Sequence, residues 1–238
     1  MKLTILETGR APGALADVYP RYPDMMASLL ARADAALAFE TVSLIEGEPL
    51  PAAGELDAAA IMGSPFGVYD PTAWMDPLRA FVREAHAAKT PLLGVCFGHQ
   101  IIADALGGDV GRSDKGWGVG RHVYRILARA PWMGEAPDTL ALVASHQDQV
   151  RRPPAGADTL AASEHTPHAL LAYRDAPILT IQGHPEFSDA FAAALYGARR
   201  GAGLSDETAD AAIQSLSAPE DNQLAAEWMA TFLRENVR

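Results

Sequence analysis

Residues 91–108 read PLLGVCFGHQIIADALGG, and the first six, PLLGVC, carry no polar side chain beyond one thiol. A strand that is apolar on both faces must be covered on both faces, as a central strand of a helix-flanked parallel sheet is. HQIIADALGG follows with helical spacing and is ended by Gly107 and Gly108. The same alternation precedes it. KLTILETG, AFETVSL and LDAAAIMGSP read as strands; PDMMASLLARADAAL, with Asp24 in its first turn, and MDPLRAFVREAHAA read as helices. Alternating strand and helix predicts a parallel sheet with right-handed crossovers.

Beyond residue 108 the pattern changes. GRHVYRIL, TLALVAS, DTLAASE, HALLAYR and APILTIQG are short strand candidates with little helix between them. They predict antiparallel additions, with ILTIQG returning to the main sheet. RRPPAGAD reads as a loop. Three helices are expected over 188–199, 205–216 and 220–235, with Ser205 as an N-cap. No linker is long or polar enough to demand a domain boundary.

Composition narrows the partners. The chain has 238 residues, 49% of them hydrophobic, enough for a sizeable core, and a formal net charge of −11. Such a surface repels phosphate backbones, and its longest basic clusters are the pairs Arg151-Arg152 and Arg199-Arg200, so no nucleic-acid partner is expected. No apolar run approaches the roughly 18 residues that span a bilayer, and MKLTILETG lacks the apolar core of a signal peptide, so no membrane partner is expected. A lone cysteine forms no internal disulfide, and a cytoplasmic location is expected. Neither a metal nor a cofactor is expected. His165 and His168 are spaced like metal ligands but have no cysteine or carboxylate cluster nearby, and DKGWGVG (114–120) is followed by Arg121 where a dinucleotide loop needs glycine.

The cysteine, Cys96, lies between Gly94 and Gly98 in a G-x-C-x-G strand-to-helix turn. This is the cysteine form of a nucleophile elbow, in which flanking glycines let neighbouring backbone pass closely. The side chain would project at the carboxyl end of the sheet, with a helix N-terminus favouring thiolate and the Phe97 N–H turned toward a developing oxyanion. The alternative is an inert buried thiol. A thiol nucleophile needs a base, and the base needs an orienting group. Of seven histidines, His184 stands out in ILTIQGHPEF, just past an apolar strand, with Glu186 two residues on. In an extended segment those side chains face the same way, so Glu186 could hold one imidazole nitrogen while the other faces Cys96. The alternative is a turn with a satisfied histidine and a solvated glutamate. Trp117 reads either as a substrate contact or as a half-packed loop aromatic.

Four segments in order, MGSPFGVYD, GVCFGHQ, SHQDQV and QGHPEF, resemble the class I, triad-type glutamine amidotransferases, in particular GMP-synthase-like stand-alone members and plant γ-glutamyl peptidases. The resemblance implies one domain over 1–238, with a catalytic core over 1–188 and a helical extension over 189–238. It implies an α/β, flavodoxin-like three-layer sandwich with a mostly parallel sheet, antiparallel additions and C-terminal helices. It implies Cys96 as nucleophile, His184 as base then acid, and Glu186 as orienter. The oxyanion hole would use backbone N–H groups of Phe97 and Ser64, with Gly63 letting its loop turn. Gln100, His146, Gln147 and Asp148 would contact the substrate, Gln147 standing where the family usually has glycine. The implied substrate is glutamine, hydrolysed to glutamate and ammonia for an acceptor such as a separate synthetase subunit, or a γ-glutamyl peptide cleaved without an acceptor. These residues contain no P-loop and no ATP-pyrophosphatase segment, so a synthetase would be expected as a separate subunit. A cysteine-based redox or binding protein of the same fold is the third reading.

Overall fold

The computed structural model describes residues 1–237. In chain order its elements are β1 (Lys2–Glu7), α1 (Leu15–Val18), α2 (Tyr22–Ala33), β2 (Ala38–Ser43), β3 (Ala58–Ile61), α3 (Met75–Ala88), β4 (Leu92–Val95) and α4 (Phe97–Ala105). There follow β5 (Asp109–Arg112), β6 (Gly118–Ile126), β7 (Thr139–His146), β8 (Asp148–Arg152), β9 (Ala157–Ala162), β10 (Leu170–Tyr173) and β11 (Ile178–Ile181). The last three are α5 (Asp189–Ala198), α6 (Asp206–Ser215) and α7 (Asn222–Asn236).

Nine strands form one sheet in the order β2-β1-β3-β4-β11-β10-β9-β6-β7. The first five are mutually parallel, and every later pairing is antiparallel. The chain is therefore an α/β protein with a large, half-parallel central sheet. β11 pairs in parallel with β4, Ile178 opposite Leu92 through Ile181 opposite Val95, so the last strand does return to the centre. This pairing sets the ends of β4 and β11, where Cys96 and His184 follow, side by side.

Residues 91–96 are all buried. Alternate residues feed opposite faces. Leu93, Val95, Leu179 and Ile181 pack with α2, α5 and α7 on one side, while Leu92 and Ile178 pack with α3 and α4 on the other. Ser205 caps α6, its hydroxyl accepting from the Thr208 N–H.

Two features depart from expectation. β5 and β8 form a separate two-stranded antiparallel sheet. They are short, and Arg151 and Arg152, expected in a loop, belong to β8, where Arg151 bonds Asp109 across the pair at 2.8 Å. The loop is confined to 153–156. The second feature is at the outer strand, β7. Its Val143 carbonyl accepts the His184 N–H at 2.8 Å, so the antiparallel half curls back over the end of β11. The outer side of Ala141 is also engaged, its N–H and C=O both bonded to Asp221.

Candidate active site

Cys96 is the residue between β4 and α4, with φ 54° and ψ −101°. Apart from Lys89 it is the only non-glycine among the described residues with positive φ. Such backbone costs on the order of 1–3 kcal/mol and persists only where its surroundings hold it. Here they do. The Cys96 N–H donates to Ile181 C=O at 2.9 Å, and Gly98 N–H donates to Met62 C=O at 3.2 Å. A Cβ on Gly98 would lie 2.0 Å from the Ile61 carbonyl oxygen, and one on Gly94 would lie 2.8 Å from Gly98 backbone. The glycines admit the close approach of three backbone segments under a strained elbow. The thiol is 5% exposed and borders two cavities. Phe97 opens α4, where an amide has no helical acceptor.

His184 stands opposite. Its Nδ1 is 2.8 Å from Glu186 Oε1, and its ring lines the same cavity as Cys96, whose charge acts on it. The His184–Glu186 contact crosses a turn at Pro185 and Glu186 instead of running along an extended strand, because proline restricts the chain just past the bridge to Val143. The ring stacks on Phe187 with centroids 3.9 Å apart. Burial alone would favour the neutral ring, but Glu186 and Cys96 outweigh it and raise the His184 pKa to about 10. Glu186 Oε2 is buried without a hydrogen-bond partner, so this carboxylate is directed at the imidazole alone.

Gly63 and Ser64 flank the same space. The Thr8 hydroxyl donates to the carbonyls of Met62 and Gly63 at 3.0 and 3.2 Å, and the Ser64 hydroxyl donates to Thr8 C=O at 2.6 Å. Gly63 does not adopt positive φ. Its need is space: a Cβ there would lie 3.0 Å from His184 Cε1.

The SHQD segment wraps the other side. His146 is buried, with Nδ1 3.0 Å from Asp148 C=O and Nε2 3.4 Å from the Thr166 hydroxyl. Burial, with His122 and His165 nearby, holds its pKa well below the usual value, so it is neutral. Gln100 donates to Asp148 C=O at 2.8 Å and to Gln182 Oε1 at 3.2 Å, which anchors the start of β8. Gln147 and Asp148 are half-buried at the cavity. His99 lies in the core, bonded to Thr180, and burial lowers its pKa to about 3. Among the described residues, no group of three histidine, cysteine or acidic side chains is placed to hold a metal ion.

Two cavities meet at Cys96. One, about 270 Å³, is lined by Gln100, His146, Gln147 and Asp148. The other, about 390 Å³, is lined by Gly63, His184, Tyr22, Phe187 and Leu195. Ser64, Pro65, Cys96, Trp117, Ser145 and Arg199 border both. Sequence reasoning assigned no chemistry to the segment after residue 188, yet it brings Arg199 to this junction. The signal was helical spacing: Arg199 continues the buried stripe of Ala192, Leu195 and Tyr196. Trp117 packs under it as a half-buried loop aromatic and also borders both cavities.

The family model described as glutamine amidotransferase class-I matches residues 16–192. γ-Glutamyl peptidase 3 of Arabidopsis thaliana is 34% identical over 138 residues, covering 56% of this chain and 55% of the relative. A glutamine-hydrolysing GMP synthase subunit of Sulfolobus acidocaldarius is 29% identical over 150 residues, covering 63% of this chain and 78% of the relative. The chain spans about half the length of the first curated relatives it matches. Among solved structures, a glutamine amidotransferase from Methylobacillus flagellatus superposes with a TM-score of 0.77 at 21% identity, covering 99% of this chain and 94% of its own, which speaks to the fold alone.

Proposed function

The chain belongs to the class I glutamine amidotransferase family, an enzyme family, and on that premise we propose that it hydrolyses γ-glutamyl amides with Cys96, His184 and Glu186 as a catalytic triad. The observation that supports this reading is an imidazole held by Glu186 at 2.8 Å on Nδ1 and lining one cavity with the thiol of a strained elbow. A protonated His184 beside the sulfur is the counter-ion that a thiolate needs.

The Cys96 thiolate attacks the γ-carbonyl carbon, and the oxyanion is met by backbone N–H groups of Phe97 and Ser64, with Gly63 keeping that loop against the ring. His184 passes its proton to the leaving nitrogen, the C–N bond breaks, and a γ-glutamyl thioester remains. The now neutral ring takes a proton from water, which attacks the thioester and releases glutamate and the thiolate. Gln100 and His146 position the SHQD backbone, and Gln147 and Asp148 face the glutamyl end.

With glutamine the leaving group is ammonia, and a separate synthetase subunit would be its acceptor; the relative named as a GMP synthase subunit supports that reading. A second reading, a γ-glutamyl peptidase working without an acceptor, is favoured by the 390 Å³ space beside His184, far larger than ammonia requires. We place the protein in the cytoplasm, where a lone cysteine stays reduced. The core over 1–188 holds the triad, and the helical extension adds Arg199 to the cavity wall.

The test offers purified protein glutamine, glutathione and a γ-glutamyl anilide beside Cys96→Ala. Turnover that vanishes in the variant, with a γ-glutamyl enzyme adduct of matching mass in the wild type, is expected. Equal turnover by the variant removes the mechanism.

A further inference from the structure

The two cavities divide the substrate. A general acid has to reach the leaving nitrogen, and His184 borders only the larger one, whereas the residues His146, Gln147 and Asp148 border only the smaller. Given the proposed triad, the glutamyl end enters the smaller cavity and the leaving amine enters the larger.

The larger cavity is apolar along much of its wall, with Pro12, Tyr22, Phe187, Leu195 and Ala198. Two arginines also line it. Arg10 is already neutralised: its guanidinium bonds both oxygens of Glu7, at 3.0 and 3.1 Å, and also Glu46. Arg199 is different. Its Nη1 donates to the Ser145 hydroxyl at 2.6 Å, and its guanidinium carbon lies 4.8 Å from the Trp117 ring centre. No ion pair holds it among the described residues. Burial holds its pKa below the usual arginine value. A half-buried guanidinium, fixed on an aromatic face and lacking a carboxylate, is suited to receive one.

We propose that Arg199 is a specificity residue that binds a carboxylate on the leaving amine, so that the preferred substrates are γ-glutamyl amino acids with an apolar side chain and a free carboxyl group. This rests on the γ-glutamyl hydrolase reading above. Glutamine remains a substrate; the cavity selects among leaving groups larger than ammonia. The apolar wall takes the side chain, His184 faces the scissile nitrogen, and Arg199 meets the carboxylate at the junction.

The test compares kcat/KM for γ-glutamyl-leucine and γ-glutamyl-leucinamide, which differ only in that carboxylate. The wild type is expected to favour the acid by about tenfold or more, the usual worth of a charge-assisted hydrogen bond. In Arg199→Met the acid-to-amide ratio should fall toward one, and in Arg199→Lys it should be intermediate. Because the ratio is internal to each protein, loss of folded enzyme or of thiolate stabilisation moves both substrates together and leaves the ratio alone. A wild-type ratio near one, or an unchanged ratio in Arg199→Met, overturns the inference while turnover upholds the hydrolase. No turnover of these compounds or of glutamine overturns the hydrolase, and the inference with it.

Discussion

Gly63 and His184 are set so closely that a Cβ on the glycine would stand 3.0 Å from Cε1 of the imidazole and 3.8 Å from the Cys96 Cβ. The glycine backbone is ordinary in φ, so an alanine there meets no conformational penalty, only the ring. Gly63→Ala should therefore displace His184 by a few tenths of an ångström. Loss of alignment at reacting atoms costs on the order of 10–100-fold. Steady-state rates should fall by that much with the melting temperature nearly unchanged; a large loss of melting temperature instead would place the glycine's role in the fold.

Cys96 offers a separation of stability from chemistry. At φ 54° and ψ −101° any side chain is strained. Cys96→Gly and Cys96→Ala should both be inactive, but the glycine variant should be more stable than the alanine variant by about 1 kcal/mol. Urea unfolding of the two proteins measures this, and an alanine variant equal to or more stable than glycine contradicts the strain.

The His184–Glu186 pair predicts a pH dependence of stability. The folded-state pKa of His184 is raised, to about 10, above the unfolded value near 6.5. The contribution is therefore complete below about 6.5 and is lost as pH rises from there through 10. Unfolding free energies of Cys96→Ala and Cys96→Ala/Glu186→Gln, measured from pH 6 to 10, should differ most at pH 6 and converge below pH 10, because Cys96, which shares in raising the pKa, is absent from both. The common Cys96→Ala background removes thiol titration, so a gap that is constant across the range would deny the coupling.

Gln100 holds Asp148 C=O at 2.8 Å and Gln182 at 3.2 Å from a buried position. Gln100→Ala removes the donor to Gln182 Oε1 and leaves Asp148 C=O with His146 Nδ1 alone, at a cost of about 1–3 kcal/mol. KM should rise more than kcat falls, since the SHQD backbone moves while Cys96 and His184 stay paired. A kcat defect with unchanged KM would point to a role nearer the reacting atoms.

The parallel half was legible because each apolar run there forms one strand and each helical stripe one helix. The match of MDPLRAFVREAHAA to α3 (Met75–Ala88) residue for residue shows how strong that periodicity is. The elbow was legible because Gly94 and Gly98 have no other reason to bracket a buried thiol. Other features depend on contacts between distant segments. Gly63 looks like a turn glycine locally, and only the fold brings His184 against it. β5 and β8 are too short to show alternation, and their pairing is set by neighbours. The Arg199-Arg200 pair is ambiguous by itself, and only the helical spacing of the residues before it turns Arg199 inward with the buried stripe of α5, while Arg200 is bonded to Asp210 on α6.

The bridge between Val143 and His184 has a further meaning. β7 is the last strand of the sheet, and an unsatisfied last strand is where another polypeptide can add itself. Here Asp221 and His184 occupy successive outward positions on it. Any molecule recruiting that border as a template must first detach the histidine, so strand-exchanged or fibrillar forms built on β7, unlike ones built on the opposite border at β2, would be chemically silent.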